Sequence, residues 1–100
     1  MITENTIREE LKKVIDPEYG FNIVELGFIY SIKLRQNSVQ VDFTLTSPGC
    51  PYAPLIKYNI IQIVKEHTRI KDIRANFVFE PRWGPEMMSE EVRFTFGFPI

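Results

Sequence analysis

The sequence predicts a small two-layer α+β fold with a mixed sheet, and three observations lead to this prediction. The chain has 100 residues, the length of a single domain spanning 1–100. Two neighbouring segments alternate apolar and polar residues with the period of strands. A segment with helical spacing then separates them from a third alternating segment. We therefore expect the order α-β-β-α-β followed by a short helix or strand, with one hairpin and one helix crossover.

The first predicted element is a helix of about a dozen residues. Its apolar residues recur at the helical spacing, at Ile7, Leu11, Val14 and Ile15. The cap is either Thr6, in a capping box with Glu9, or Thr3 one turn earlier. Pro17 should end the helix and leave Asp16 at its exit, because the residue before a proline is driven out of helical geometry.

A hairpin follows the first helix. Apolar residues alternate with polar ones in two segments, at Phe28, Tyr30, Ile32 and Leu34 and again at Val39, Val41, Phe43 and Leu45. The polar residues 36–38 between the two segments suit a turn, so these strands should pair antiparallel.

A long helix from about Tyr52 to Thr68 precedes the third strand, 73–80, and the chain ends in a short element. The main apolar stripe of this helix comprises Ile56, Ile60, Ile63, Val64 and His67. Its apolar surface is widened by Leu55, Tyr58 and Ile61. The wide surface is either a broad core face or a second face for a partner subunit. Ser89 can cap a final helix, and the aromatic tail 94–98 either completes that helix or forms an edge strand.

Charge and hydropathy exclude several classes of partner. The 12 basic residues nearly cancel the 13 acidic ones, so no overall field attracts nucleic acid or an anionic membrane. Polar residues such as Lys57 and Gln62 interrupt every long apolar stretch, which excludes a transmembrane helix. The first residues lack the pattern of a secretory signal, so we expect a cytoplasmic protein.

The single cysteine, Cys50, is the most informative position for chemistry. One thiol cannot close an intrachain disulfide, and it cannot supply all the ligands of a zinc site or an iron-sulfur cluster. Pro51 fits the first turn of the long helix, which puts the thiol at or near the N-cap. The helix dipole there favours a thiolate, and thus metal binding or nucleophilicity. The alternative is a small buried apolar residue, which is a common role for free cysteine.

Hydroxyls lie near this cysteine in the sequence, and a pair of carboxylates lies in an earlier turn. Thr44, Thr46 and Ser47 either line a pocket with Cys50 or form a solvated strand face. Asp16 and Glu18 flank a proline. They could orient a thiol, hold a hard metal ion or simply accept backbone amides in a plain turn.

Four segments in this order resemble a known family. They are Asp16-Pro17-Glu18, the residues 22–27, the residues 45–51 and the Pro-Arg-Trp-Gly-Pro loop at 81–85. Together they resemble the SufT and PaaD-like family of iron-sulfur cluster assembly domains, also called domain of unknown function 59, from the first helix to residues 89–91. The resemblance implies an α+β domain without enzymatic activity. Its role would be to help mature iron-sulfur proteins, by cluster transfer or as an adaptor for a scaffold or recipient protein.

The resemblance also implies one shared site. Its residues would be Asp16, Glu18, Thr44, Thr46, Ser47 and Cys50. Cys50 would contact iron or a transient cluster, with Asp16 as a second ligand or proton acceptor and Thr46 donating a hydrogen bond to the sulfur. No cofactor would be bound permanently. A homodimer could pool two Cys50 thiols.

Alternative functions remain open at this point. Trp83 covers either the core or a pocket, and an adaptor could bind recipients through the Trp83 loop and the wide helix face, with Cys50 structural. Family members that serve the phenylacetate-degrading oxygenase carry a cysteine-rich extension, which is absent up to Ile100. We therefore favour general assembly over an accessory role for a multicomponent oxygenase. A thiol enzyme or redox sensor ranks last, because no base is expected within reach of Cys50.

Overall fold

The computed structural model describes residues 2–46, 49 and 51–97. The helices in this part of the chain are α1 (Glu4–Leu11), α2 (Ala53–Thr68) and α3 (Glu90–Thr95), with a 3-10 turn at Pro85–Met87. The strands are β1 (Ile29–Leu34), β2 (Ser38–Phe43) and β3 (Asp72–Phe77).

The three strands form one mixed sheet in the order β1-β2-β3. β1 and β2 pair antiparallel as the predicted hairpin. β3 returns after α2 and pairs parallel with β2. The predicted α+β fold, with its hairpin and helix crossover, is therefore confirmed.

The helices cover one face of the sheet. α2 packs against β3 and α1, and α1 also packs against β1. Buried side chains stand in register across the strands, as in the row Ile32, Val41 and Ala75. The alternate row Lys33, Gln40 and Arg74 projects from the opposite face, because successive side chains of a strand point to opposite sides. This second sheet face is polar, and we call it the open face.

The first helix is shorter than predicted and does not extend to Pro17. It ends at Leu11, and Thr3 caps it in a reciprocal capping box with Thr6, so the predicted pairing of Thr6 with Glu9 is wrong. Val14 is buried although it lies outside the helix, and its carbonyl oxygen accepts a hydrogen bond from the backbone N–H of Ile23 at 3.0 Å. Tertiary pairing with residues 22–23 therefore replaces the last predicted turn of helix.

The start of α2 also differs from the prediction. Tyr52 is the N-cap, and Pro54 occupies the first turn that we assigned to Pro51. Cys50 precedes this N-cap by two positions in the sequence and lies outside the described residues.

The apolar stripe of α2 is confirmed except at its end. Ile56, Ile60 and Val64 are buried, whereas the predicted stripe residue His67 is exposed. Thr68 takes the next buried position, since the buried residues of this helix recur every four residues. Its hydroxyl donates to the carbonyl oxygen of Val64 at 2.8 Å.

Three smaller differences concern the bulge in β1, the end of β3 and the turn before the last helix. A bulge between Ile29 and Ser31 breaks the strict alternation of β1, so Ile29 is buried rather than exposed. β3 ends at Phe77 instead of residue 80, and the 3-10 turn was not predicted. The Ser89-capped helix is confirmed and includes the first two tail residues, 94–95, while residue 98 lies outside the described residues.

None of the helices in the described ranges is long and apolar enough to cross a membrane.

Candidate functional site

A cavity of about 370 Å³ with a mixed polar and apolar lining lies between the chain that leaves β2 and the loop that follows β3. One side is formed by residues 44–46, and the other side by Phe79, Glu80, Arg82 and Trp83. The fold thus brings together two segments that the sequence analysis singled out separately, the threonine-rich strand end and the tryptophan loop. We call this space the threonine cavity.

The two threonines occupy this cavity differently. Thr44 is buried, and its backbone N–H donates to the carbonyl oxygen of Phe28 at 2.8 Å, just beyond the last residue of β2. Thr46 is only half-buried and lines the cavity beside it. Thr44 therefore lies in a cavity wall rather than on a solvated strand face, while a pocket that these hydroxyls share with Cys50 stays a prediction.

Trp83 forms a fixed wall of the cavity. Its indole N–H donates to the carbonyl oxygen of Leu26 at 2.8 Å, and its ring contacts Phe28 edge-on with centroids 5.6 Å apart. Trp83 also borders a second, mainly apolar cavity of about 210 Å³ together with Tyr19 and Phe96. The tryptophan therefore covers both the core and the pocket, which the sequence left as alternatives.

Tyr30 is a residue of this region that the sequence analysis assigned only to a strand. Its hydroxyl donates to the carbonyl oxygen of Pro81 at 2.7 Å, which ties β1 to the start of the tryptophan loop. Burial raises the pKa of Tyr30, and the neighbouring charges of Glu80 and Glu86 raise it further, while a hydrogen bond with Thr44 opposes the shift. The alternation of β1 carried no signal for this role, because the bond joins residues far apart in the sequence.

Asp16 stabilises the turn in which it lies. The side chain is buried, and its Oδ1 accepts the backbone N–H of Glu18 at 2.7 Å and of Tyr19 at 3.0 Å. Glu18 itself is exposed. Tyr19 borders the apolar cavity together with Trp83, whereas neither Asp16 nor Glu18 lines the threonine cavity.

The remaining predicted site residues, Ser47 and Cys50, lie outside the described residues. Within 2–46, 49 and 51–97, no three histidine, cysteine, aspartate or glutamate side chains cluster closely enough to hold a metal ion.

Comparison with known proteins decides the family. Residues 4–77 match the sequence pattern of a family described as iron-sulfur cluster assembly protein. The chain belongs to this family. The matched segment contains both threonines of the cavity, the buried Asp16 and Cys50, whereas Trp83 follows it in the sequence.

Two bacterial relatives of this assembly family extend the match beyond the family segment. A protein of Porphyromonas gingivalis, named Fe-S protein maturation auxiliary factor, is 37% identical over 97 residues, which cover 96% of this chain and 92% of that protein. Fe-S protein maturation auxiliary factor SufT of Staphylococcus aureus is 40% identical over 85 residues, covering 84% and 97%. The resemblance to SufT-like proteins inferred from the four segments is therefore confirmed.

A solved structure confirms the fold of the assembly family for this chain. The crystal structure of a domain of unknown function, DUF59, from Bacillus anthracis superimposes with a TM-score of 0.89 at 33% identity. The superposition covers 96% of this chain and 92% of that one, so it extends past the family segment to the tryptophan loop.

Proposed function

We propose that this protein is an accessory factor that helps to assemble iron-sulfur clusters or transfer them to recipient proteins. Its relatives are named maturation auxiliary factors rather than enzymes. The observation that carries the proposal is the threonine cavity, because residues 44–46 that line it lead directly into the Cys50 loop. The Thr46 hydroxyl and the Arg82 guanidinium on this cavity are hydrogen-bond donors for an anionic, thiolate-bound cargo, while the Glu80 carboxylate there balances the arginine charge.

Cys50 is the group proposed to contact iron or a cluster transiently. It precedes the N-cap of α2 by two positions, and Tyr52 at that cap makes no side-chain capping hydrogen bond. No acidic residue lies in the first turn of this helix of 16 residues, so its dipole favours an anion there. One thiolate supplies one ligand. The others would come from the scaffold or recipient protein, a small thiol or the Cys50 of a second copy.

Asp16 and Thr46 are proposed to support that thiolate. Two backbone amides already occupy Oδ1 of Asp16, so a contact with iron, or the acceptance of a proton, would use Oδ2. The half-buried Thr46 hydroxyl would donate a hydrogen bond to the sulfur and hold it at the mouth of the cavity.

Complementation tests the thiolate proposal. Cells lacking this protein would receive the wild type, Cys50→Ser or the control Lys57→Ser, which changes an exposed residue of α2. We expect Cys50→Ser to lose maturation of a cluster-dependent enzyme and Lys57→Ser to keep it. Circular dichroism of the purified variants checks that both fold. Full maturation with a folded Cys50→Ser protein would overturn the thiolate role.

A protein-interaction adaptor is the second candidate, and the exposed face of α2 favours it. Leu55 and Tyr58 are 49% and 60% exposed, whereas the Trp83 side chain hydrogen-bonds Leu26 and packs against Phe28 within the protein. A pull-down of scaffold and recipient proteins should therefore compare Cys50→Ser with Tyr58→Ser rather than rely on Trp83→Ala alone, which would also damage the site. Loss of the partner with Tyr58→Ser alone would favour the adaptor.

A further inference from the structure

The open face of the sheet carries a basic cluster that is separate from the threonine cavity. Lys33, Gln40 and Arg74 stand in register on β1, β2 and β3. Together with Arg35 beyond the end of β1 and Asp72 at the start of β3, they line a cleft of about 300 Å³. We call Lys33, Arg35 and Arg74 the basic cluster.

The charges of this cleft are unbalanced although the chain as a whole is nearly neutral. The cleft holds three cations and one carboxylate, against a formal net charge of -1 for the protein. Among the described residues, neither Lys33 nor Arg35 has a carboxylate oxygen within ion-pair distance. Asp72 lies 3.4 Å from Arg74, but both side chains are more than half exposed, so this pair is weak and easily displaced.

We propose that the basic cluster is a docking surface for an acidic segment of a partner protein. Neighbouring strands lie about 4.8 Å apart, so the backbones of Lys33 and Arg74 are about 10 Å apart across β2. Carboxylates at alternate positions of an extended segment are about 7 Å apart and project to the same side. Such a segment can contact lysine and arginine groups on both outer strands at once, and arginine binds carboxylates with two parallel hydrogen bonds.

Carboxylates elsewhere on the open face would repel a ligand that carries a negative charge at every repeat. Asp72 lies inside the cleft, and Asp42 lies two positions after Gln40 on β2 and therefore on the same face. A nucleic acid, with a phosphate at every nucleotide, would meet these carboxylates as well as the cations. A protein segment with a few discrete carboxylates avoids them, which is why we assign the surface to a protein partner.

Peptide binding to the full chain tests the docking surface. The probe is a fluorescein-labelled peptide in which glutamate and serine alternate, followed by fluorescence anisotropy. The double variant Lys33→Glu/Arg74→Glu should bind it about tenfold more weakly than the wild type, since two exposed ion pairs are lost. Added sodium chloride should weaken wild-type binding, because exposed charges are screened.

The matched control is Lys57→Glu/Lys65→Glu, which makes the same charge change at two exposed residues of α2. This control should bind the peptide within about twofold of the wild type. Equal losses in both double variants, or no binding by the wild type, would overturn the proposal. Tighter binding of a single-stranded oligonucleotide than of the peptide would overturn it in favour of nucleic acid. Inorganic phosphate could also be added at a concentration equal to that of the peptide's carboxylates. If it displaced the peptide, the result would overturn the proposal in favour of a site for a single anion.

The docking surface and the cluster-assembly proposal can fail independently. Cys50→Ser should bind the acidic peptide as the wild type does, while the basic-cluster variant should leave the threonine cavity unchanged. A result in one experiment therefore does not decide the other.

Discussion

At the scale of single residues, the carboxylates of the buried Asp16 and the partly buried Asp42 have different structural roles. Asp16 receives two backbone amides and closes a turn, whereas Asp42 receives three side-chain donors on the open face. These donors are Ser31 at 2.9 Å, Gln40 at 3.1 Å and Asn76 at 3.2 Å. Burial by itself would raise the pKa of Asp42, but these hydrogen bonds and the charge of Lys33 lower it below its ordinary value of 3.8. The ionised form of Asp42 therefore stabilises the fold.

The lowered pKa of Asp42 predicts a pH dependence of stability. Its contribution is fully present above the unfolded-state pKa near 3.8 and is lost as the pH falls through the lower folded-state pKa. Asp42→Asn should therefore reduce the loss of unfolding free energy between about pH 6 and about pH 3. Urea denaturation at both pH values measures this difference.

Ser31→Ala should weaken the stabilisation of the Asp42 carboxylate only in part, because it removes one of its three hydrogen-bond donors. Its pH dependence should lie between those of the wild type and Asp42→Asn. Parallel pH curves for all three proteins would show that Asp42 contributes nothing to acid sensitivity.

At the scale of elements, the close approach of one glycine positions the 3-10 turn against the start of β1. Gly27 has φ +78°, and a Cβ there would collide with the backbone carbonyl of Met87. Met87 lies 3.4 Å from the Tyr30 hydroxyl, which in turn holds Pro81 and the tryptophan loop. The contact between Gly27 and the 3-10 turn thus supports the wall of the threonine cavity.

Two glycine-to-alanine variants separate this close approach from backbone conformation. Gly20 has nearly the same φ, +76°, but open space where its Cβ would be. Gly20→Ala should cost about 1–2 kcal/mol from the left-handed conformation alone. Gly27→Ala should cost clearly more in unfolding free energy, because Met87 must also move.

The fluorescence of Trp83, the single tryptophan, reports on the same pair of variants. Its emission should shift with Gly27→Ala and stay unchanged with Gly20→Ala. If the two variants were equally stable and had identical emission, the close approach of Gly27 to Met87 would not contribute to stability or to the position of Trp83.

At the scale of the whole molecule, α2 joins the two layers. Ile60 in the middle of this helix is 0% exposed and belongs to the core beneath the sheet, whereas Leu55 on the same helix is 49% exposed. The helix therefore has one face that holds the fold together and another that is available to partners.

Truncation of these two residues should affect stability very differently. Ile60→Ala should cost about 2–5 kcal/mol because it leaves a cavity in the core. Leu55→Ala should change the unfolding free energy by no more than about 0.5 kcal/mol. Urea denaturation measures both, and Ile60→Val, expected to cost about 0.5–1.5 kcal/mol, keeps the comparison possible if the alanine variant fails to fold. Similar costs at the two positions would contradict this division of α2.

Local patterns in the sequence determined most of the elements and the family. The hairpin, the core stripe of α2 and the Ser89 cap follow from alternation, helical spacing and capping chemistry, which act between residues close in the chain. The four family segments, including the Cys50 loop, are likewise readable without a structure.

Only the tertiary structure decided the features that depend on distant residues. The end of α1 is set by pairing of residues 14–15 with residues 22–23, a choice that helical periodicity cannot reveal because Val14 is buried either way. The threonine cavity exists because residues 44–46 meet residues 79–83, and the basic cluster because three strands align Lys33 with Arg74. Contacts of this kind join segments that are far apart in sequence, so they leave no periodic signal in either segment alone.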